Sequence, residues 1–289
     1  MTRPDEIRLL EKEEWPAFLH EITDPPSKLF VRGVVPPSGT HFLSVVGSRK
    51  YSPYAKSVCE RLIAGLSGYP ISIVSGLALG IDGIAHEAAL AAGLHTIAVP
   101  GSGLSDTVLY PRAHLPLARR IIQSGGALIS EFEHEFKATD WSFPQRNRVM
   151  AGMSHAVLII EAGEKSGTLI TARLGMEYGR RVLVVPSPLF TPYGKGSNAL
   201  LRVGAELITS SSDILEALGI EEAVHNEKVM PLNISDDEKK ILEVLNEPLQ
   251  KDQIIARAGM PARAVLVLLS TLEIKGIITE RLGKIERVR

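Results

Sequence analysis

Between His41 and Leu218, seven short apolar runs, mostly of four to six residues, alternate with stretches of helical period. The runs are "FLSVVGS" (42–48), "ISIVSG" (71–76), "HTIAVPGSG" (95–103), "ALISEF" (127–132), "AVLIIEAG" (156–163), "RVLVVPS" (181–187) and "AELIT" (205–209). Helical patterns occupy 53–67, 80–92, 113–124, 167–179 and 197–203. Near-continuous Val/Ile/Leu strands have no polar face to give to water, so they need cover on both sides. Helices between successive strands supply that cover in a parallel sheet. Residues 41–218 therefore predict a doubly wound α/β domain with a mostly parallel sheet.

The flanks differ. Residues 1–40 hold a short helical pattern and then "DPPSKLFVRGVVPPSGT", whose prolines predict an extended lead-in. Residues 219–233 lack a sustained period and read as a linker. Over 234–289 three helical patterns follow one another, the first opened by Ser235 with Glu238 in capping-box spacing, the third by Pro261. An alternating segment around Gly283 then predicts a small hairpin. Three helices and a hairpin resemble a small winged-helix domain.

Net charge is −1, so no global field attracts nucleic acid or an anionic membrane, and any anion site must be local. One cysteine, Cys59, excludes an intramolecular disulfide and suits a reducing compartment. The first residues are too charged for a secretory signal, and no apolar run is long enough for a bilayer span. A cytoplasmic protein without membrane partners is the expectation.

Four strand ends carry glycines and small hydroxyls: Gly47 and Ser48 with Arg49; Ser75 and Gly76; Gly101 and Gly103; Ser166, Gly167 and Thr168. In an open α/β sheet ligands collect beyond the carboxyl ends of the strands, where loop N–H groups and helix N-termini attract phosphate. Enzyme signatures are missing. "GSGLSD" has only two glycines of the dinucleotide pattern, "PYGKGSN" lacks P-loop spacing, "HEAAL" lacks the second histidine of a zinc helix, and no G-x-S-x-G occurs. His86, His114 and His155 read as capping or buried imidazoles. No catalytic residue, metal site or cofactor is assigned.

"SFPQRNRVMAGMS" (142–154) begins a helix with Pro144 in its first turn and Ser142 as its cap. It places Arg146 and Arg148, around Asn147, near the positive end of the helix dipole, where cations are disfavoured. Either the protein supplies carbonyls or acids such as Glu131 or Glu161, or a bound anion offsets the repulsion. With Phe143 as a stacking plate and several phosphate nests, the second option suits a strand of exposed bases. On that basis Arg146→Ala is expected to weaken binding to oligo-dT with little effect on the melting temperature.

"VVGSRKYSPYA", "VSGLALGIDGIAH", "GSGLSDTVLYPRAH", "FPQRNRVMAGMS", "EAGEKSGTLITAR" and "GSNALLRVGAELI" together resemble, in order, the bacterial DNA-processing protein A (DprA, or Smf) family. The resemblance implies an extended Rossmann-like domain, often followed by a winged helix. It implies single-stranded DNA as ligand, a homodimer, protection of incoming DNA in natural transformation, and loading of the recombinase RecA. By position it implies DNA contacts from Gly47, Ser48, Arg49, Ser75, Gly76, Phe143, Arg146, Asn147, Arg148, Ser166, Gly167 and Thr168, and from Lys195 in "GKGSN". Asp82 in "GID" is expected to fix a loop. Residues 234–289 hold 10 Lys/Arg against 9 Asp/Glu, which favours partner docking or self-association over duplex binding for that domain. The alternative is a nucleotide-binding sensor or phosphoribohydrolase-like enzyme, since "SGTLITAR" also resembles the phosphate turn of that related fold.

Overall fold

The computed structural model describes residues 5–222, 235–245, 248–274, 277–281 and 283–287. The chain forms two compact units, Met1–Glu222 and Ala223–Arg289. All seven expected strands are present in the larger unit: β3 (His41–Val46), β4 (Ile71–Ser75), β5 (His95–Ala98), β6 (Ala127–Ser130), β7 (Ala156–Ile159), β8 (Arg181–Val184) and β9 (Glu206–Leu207). Two more precede them, β1 (Ile7–Leu10) and β2 (Leu29–Gly33). The sheet order is β1-β2-β6-β5-β4-β3-β7-β8-β9. From β6 to β9 neighbouring strands run parallel, while β2 joins β6 antiparallel and β1 joins β2 antiparallel.

In the first 40 residues the helical pattern is two short 3-10 turns, Lys12–Glu14 and Ala17–His20, and the extended segment is β2, which together with β1 extends the main sheet, a pairing the sequence did not indicate. Leu29 and Val31 are buried in its core, and Arg32 bonds to Asp5 and Asp106. A free sheet edge at β6, supplied by residues a hundred positions away, gives the extended segment its pairing.

The two faces follow from alternation. Leu43 and Val45 of β3 face a core shared with α1 (Pro53–Ala64), α2 (Ile81–Ala91) and α7 (Ser211–Ala217). Phe42 and Val46 face the opposite core, shared with α4 (Ser142–Met153) and α5 (Thr168–Glu177). Residues two apart share a face, so each strand feeds both cores. A third cluster lies under α3 (Leu115–Gln123), and α6 (Lys195–Arg202) leads into β9. From β3 the chain winds outward through β4, β5 and β6, then returns to the other side of β3 with β7. Loops leaving β3 and β7 therefore diverge in opposite directions and open a crevice between them.

Two histidines tie the sheet together as neutral rings. His155 Nδ1 accepts the Phe42 N–H at 3.0 Å, and burial, with His41 and Arg180 nearby, pushes its pKa down to about 4. His86 Nδ1 lies 2.8 Å from the Thr96 hydroxyl, which itself donates to the Ile73 carbonyl. Full burial drives that ring to about 3. An unfolded histidine titrates near ~6.5. Below that value the unfolded chain takes up protons that the native state refuses, so stability is complete above pH ~6.5 and declines as the pH falls toward 4. The melting temperature is expected to drop across this window, and His155→Gln is expected to flatten the drop. An equal slope in the variant would assign the acid sensitivity to other groups.

The smaller unit contains α8 (Asp236–Val244), α9 (Lys251–Arg257), α10 (Ala262–Ile274) and the antiparallel pair β10 (Ile278–Arg281) and β11 (Lys284–Arg287). Ser235 and Glu238 form the expected reciprocal cap, at 3.2 and 2.7 Å. Leu249 pairs with Ile285, adding a short third edge to the hairpin. Ile241, Ile254, Val265, Leu272 and Ile278 make its core. This is the expected winged-helix arrangement of helices and wing. Of the expected linker at 219–233, residues 223–233 lie outside the described residues. Among the described residues no single helix is long and apolar enough to cross a membrane.

Candidate nucleic-acid interface

The crevice at the β3/β7 divergence is a groove of about 760 Å³. One wall is the loop after β3, with Gly47, Ser48, Arg49 and Lys50. The facing wall is the loop after β7, with Glu164, Lys165, Ser166, Gly167 and Thr168. Phe143 and Pro144, from the first turn of α4, close one end, and Pro192 and Tyr193 border it elsewhere.

The walls are held from behind. The Glu161 carboxylate, buried at the end of β7, accepts from the Ser52 N–H at 2.8 Å and from its hydroxyl at 2.7 Å. The Ser48 N–H donates to the Glu161 carbonyl at 2.8 Å. Gly80, at φ +90°, lets the loop after β4 run directly beneath the first wall, since a Cβ there would lie 2.4 Å from the Ser48 carbonyl oxygen. On the second wall Ser166 Oγ bonds to Thr168 Oγ1 at 2.9 Å, and Gly167 caps α5 without a side-chain acceptor. Ser166 closes the start of that ten-residue helix, its hydroxyl accepting from the Thr168 N–H at 3.3 Å and its carbonyl from the Leu169 N–H at 3.1 Å, and the positive end of the helix dipole faces the groove.

Arg146 lies in the floor and is only 5% exposed. Its guanidinium donates to the carbonyls of Gly76 and Val99 and, through Nε, to Asn147 Oδ1 at 3.1 Å. Burial pulls its pKa down to about 10, while Asp82 works against that shift. It remains a cation at neutral pH. Asp82 is buried as well; burial pushes its carboxyl pKa up, and Arg146 and loop N–H groups pull it back. Asp82 accepts from the Gly76 N–H at 3.1 Å and so fixes the loop, as expected. Gly76 has no room for a side chain, because a Cβ would sit 2.2 Å from the Arg146 guanidinium.

The structure brings together Gly47, Ser48, Arg49, Phe143, Arg146, Asn147, Ser166, Gly167 and Thr168 in one groove. Gly76 lines a smaller adjoining notch. Ser75 is fully buried and donates to the Val45 carbonyl at 2.7 Å. Arg148 turns away to pair with Glu131, with Asp24 nearby. Lys195 lies 3.9 Å from Glu164. For Arg146 and Arg148 the protein thus supplies carbonyls and acids, Glu131 but not Glu161, to offset the helix dipole. The small stability cost expected for Arg146→Ala does not survive this burial. Ser142 also departs from expectation. It lies inside α4, behind Trp141, and its hydroxyl donates to the Gly101 carbonyl at 2.6 Å, tying two loops together.

The exposed charge comes from Arg49, Lys50 and Lys165, none of which pairs with an acid among the described residues. Lys50 and Lys165 escaped the motif reading although they adjoin its glycines and hydroxyls in "GSRK" and "EKSG". Tyr193 carried no local signal, since only the return of the loop after β8 brings it to the groove. Arg49 lies over the Phe143 ring, 5.4 Å from its centroid. The exposed large aromatics among the described residues are Tyr51, Tyr54, Tyr110, Trp141, Phe190 and Tyr193. All six lie in segments that follow the carboxyl ends of strands.

A family model of DNA recombination-mediator protein A matches residues 6–219, and one of the DprA winged helix domain matches 230–284. Protein Smf of Escherichia coli (strain K12) is 37% identical, over 96% of this chain and 76% of the relative. DNA processing protein DprA of Bacillus subtilis (strain 168) is 39% identical, over 72% of this chain and 70% of its own. Among solved structures, DNA processing protein A of Streptococcus pneumoniae superposes with a TM-score of 0.67 at 37% identity, covering 73% of this chain and 74% of that one. DNA processing protein A of Helicobacter pylori, whose structure was described for its single-stranded DNA binding mode, gives 0.64 at 31%, covering 74% and 95%.

Proposed function

Because this chain belongs to the DNA recombination-mediator protein A family, we propose that it is a non-enzymatic, cytoplasmic protein that binds single-stranded DNA along the rim of its sheet. The loops at Gly47 and Ser48 and at Ser166, Gly167 and Thr168 form the walls of the phosphate path, and Arg49, Lys50 and Lys165 supply its charge. One base stacks on Phe143, while Gly76, Arg146 and Asn147 hold the floor; Ser75, Arg148 and Lys195 act from behind or beside it. The observation that carries this reading is the coincidence, on one rim, of unpaired cations and the exposed aromatics. Exposed rings cost solubility and serve no mononucleotide phosphate site, whereas successive unpaired bases each need a flat apolar surface.

Protection of incoming DNA during natural transformation and its delivery to RecA recombinase extend the proposal from family membership. A homodimer belongs to it as well: the sheet ends at the two-residue edge strand β9, whose Leu207 is exposed together with Val203 just before it.

Titrating labelled single-stranded and duplex oligonucleotides at several salt concentrations tests the reading, with solution mass recorded alongside. Single strands are expected to win, with log K falling by roughly 2 per decade of salt if three phosphates are neutralised at about 0.7 each. Equal affinity for duplex, or release of base from nucleoside monophosphates, would favour generic electrostatics or the enzyme alternative.

A further inference from the structure

Phe143 offers a base little room. One side of its ring abuts Gly101, where a Cβ would lie 2.6 Å from the ring, and Arg49 lies over the ring at 5.4 Å. It has a place for one base at most. The next base along the strand needs another plate. Tyr110 is the exposed aromatic beside it, with ring centroids 5.5 Å apart and planes opened by 50°.

The exposure of Tyr110 is built into the backbone. Its neighbours Leu109 and Pro111 are buried, and its N–H donates to the fully buried Ser102 hydroxyl at 3.2 Å. The Leu109 N–H is held by the Ser105 carbonyl at 3.0 Å, and the Pro111 carbonyl by the His114 N–H at 2.9 Å. Anchored on both sides, the ring cannot withdraw and stays 46% exposed. Across the adjoining notch, on the loop after β4, Leu79 is 49% exposed. A phosphate has no use for an exposed leucine beside an exposed phenol ring; a nucleobase, apolar on both faces, does.

We propose that Tyr110, walled by Leu79, is a second nucleobase position, so that the site holds the base following the one on Phe143. This rests on the single-stranded DNA reading above and adds a residue to it. Stacking depends on the ring and not on the hydroxyl. With a dT oligonucleotide of about a dozen nucleotides, Tyr110→Ala and Tyr110→Leu are expected to weaken binding about tenfold, and Tyr110→Phe to bind as the native protein does. Because two different bases are held, the Tyr110→Ala/Phe143→Ala double variant is expected to bind several-fold more weakly than either single variant, while the contact between the two rings keeps the losses from multiplying in full.

Native-like binding by Tyr110→Ala alongside weakened binding by Phe143→Ala would remove the second position and leave the groove intact. A double variant no weaker than Phe143→Ala alone would overturn it too, reducing Tyr110 to a prop for the Phe143 ring. Native-like binding by Phe143→Ala and by an Arg49→Ala variant would instead refute the groove as the DNA site.

Discussion

Arg146→Ala is expected to lower the melting temperature by about 10 °C. The guanidinium joins the loop after β4 to the end of β5 through the Gly76 and Val99 carbonyls, and of the two cations that act on buried Asp82, itself and Arg49, it has the larger effect. Truncation strands two carbonyls and a buried carboxylate at once. Losing one partner of a buried charged pair costs about 3–5 kcal/mol, and a domain of this size loses roughly 2–4 °C per kcal/mol. Much of the cost lies in the abandoned carboxylate, so replacing both residues, as Arg146→Met with Asp82→Leu, is expected to restore part of the lost stability. A thermal melt of each variant decides the matter. A shift of less than about 2 °C for Arg146→Ala would mean that the floor is not held by this residue.

The opposite pattern is expected for the exposed cations. Replacing Arg49, Lys50 and Lys165 together by alanine is expected to weaken single-stranded DNA binding by about a hundredfold or more near physiological salt. Each exposed cation that loses a phosphate forfeits roughly a tenfold factor, about 1.4 kcal/mol. The salt dependence should flatten in the same experiment, because fewer counterions are released. Thermal stability should remain close to native, since none of the three has an acidic partner among the described residues to lose. If affinity holds while the salt slope stays steep, the phosphates lie on another surface. The two predictions separate the arginine that builds the groove from the cations that face into it, residues that look alike in sequence.

The sheet was legible because burial on both faces leaves a mark in every strand: "SVVGS", "AVLIIEAG" and "RVLVVPS" have no polar alternation. The helix starts and the capping box at Ser235 were legible for the same reason, since their causes lie within a few residues. The strands Ile7–Leu10 and Leu29–Gly33 were not, because their pairing depends on an edge provided by residues 127–130. Most of the candidate site was visible as glycine and hydroxyl clusters at strand ends. The division of labour within it was not. Arg146 and Arg148 occupy the same short motif, yet one closes the floor against Asp82 and the other pairs with Glu131.

Local sequence determined that this chain builds a parallel sheet with its chemistry at the strand ends, since periodicity and turn residues act over a few positions. Tertiary structure alone decided which of those ends meet and which charges remain free. Strand order puts β7 beside β3 rather than beside β6, and that choice creates the groove. Whether a cation faces water or a buried carboxylate depends on groups brought close by folding from distant parts of the chain, and Coulomb energies and desolvation follow those distances in space.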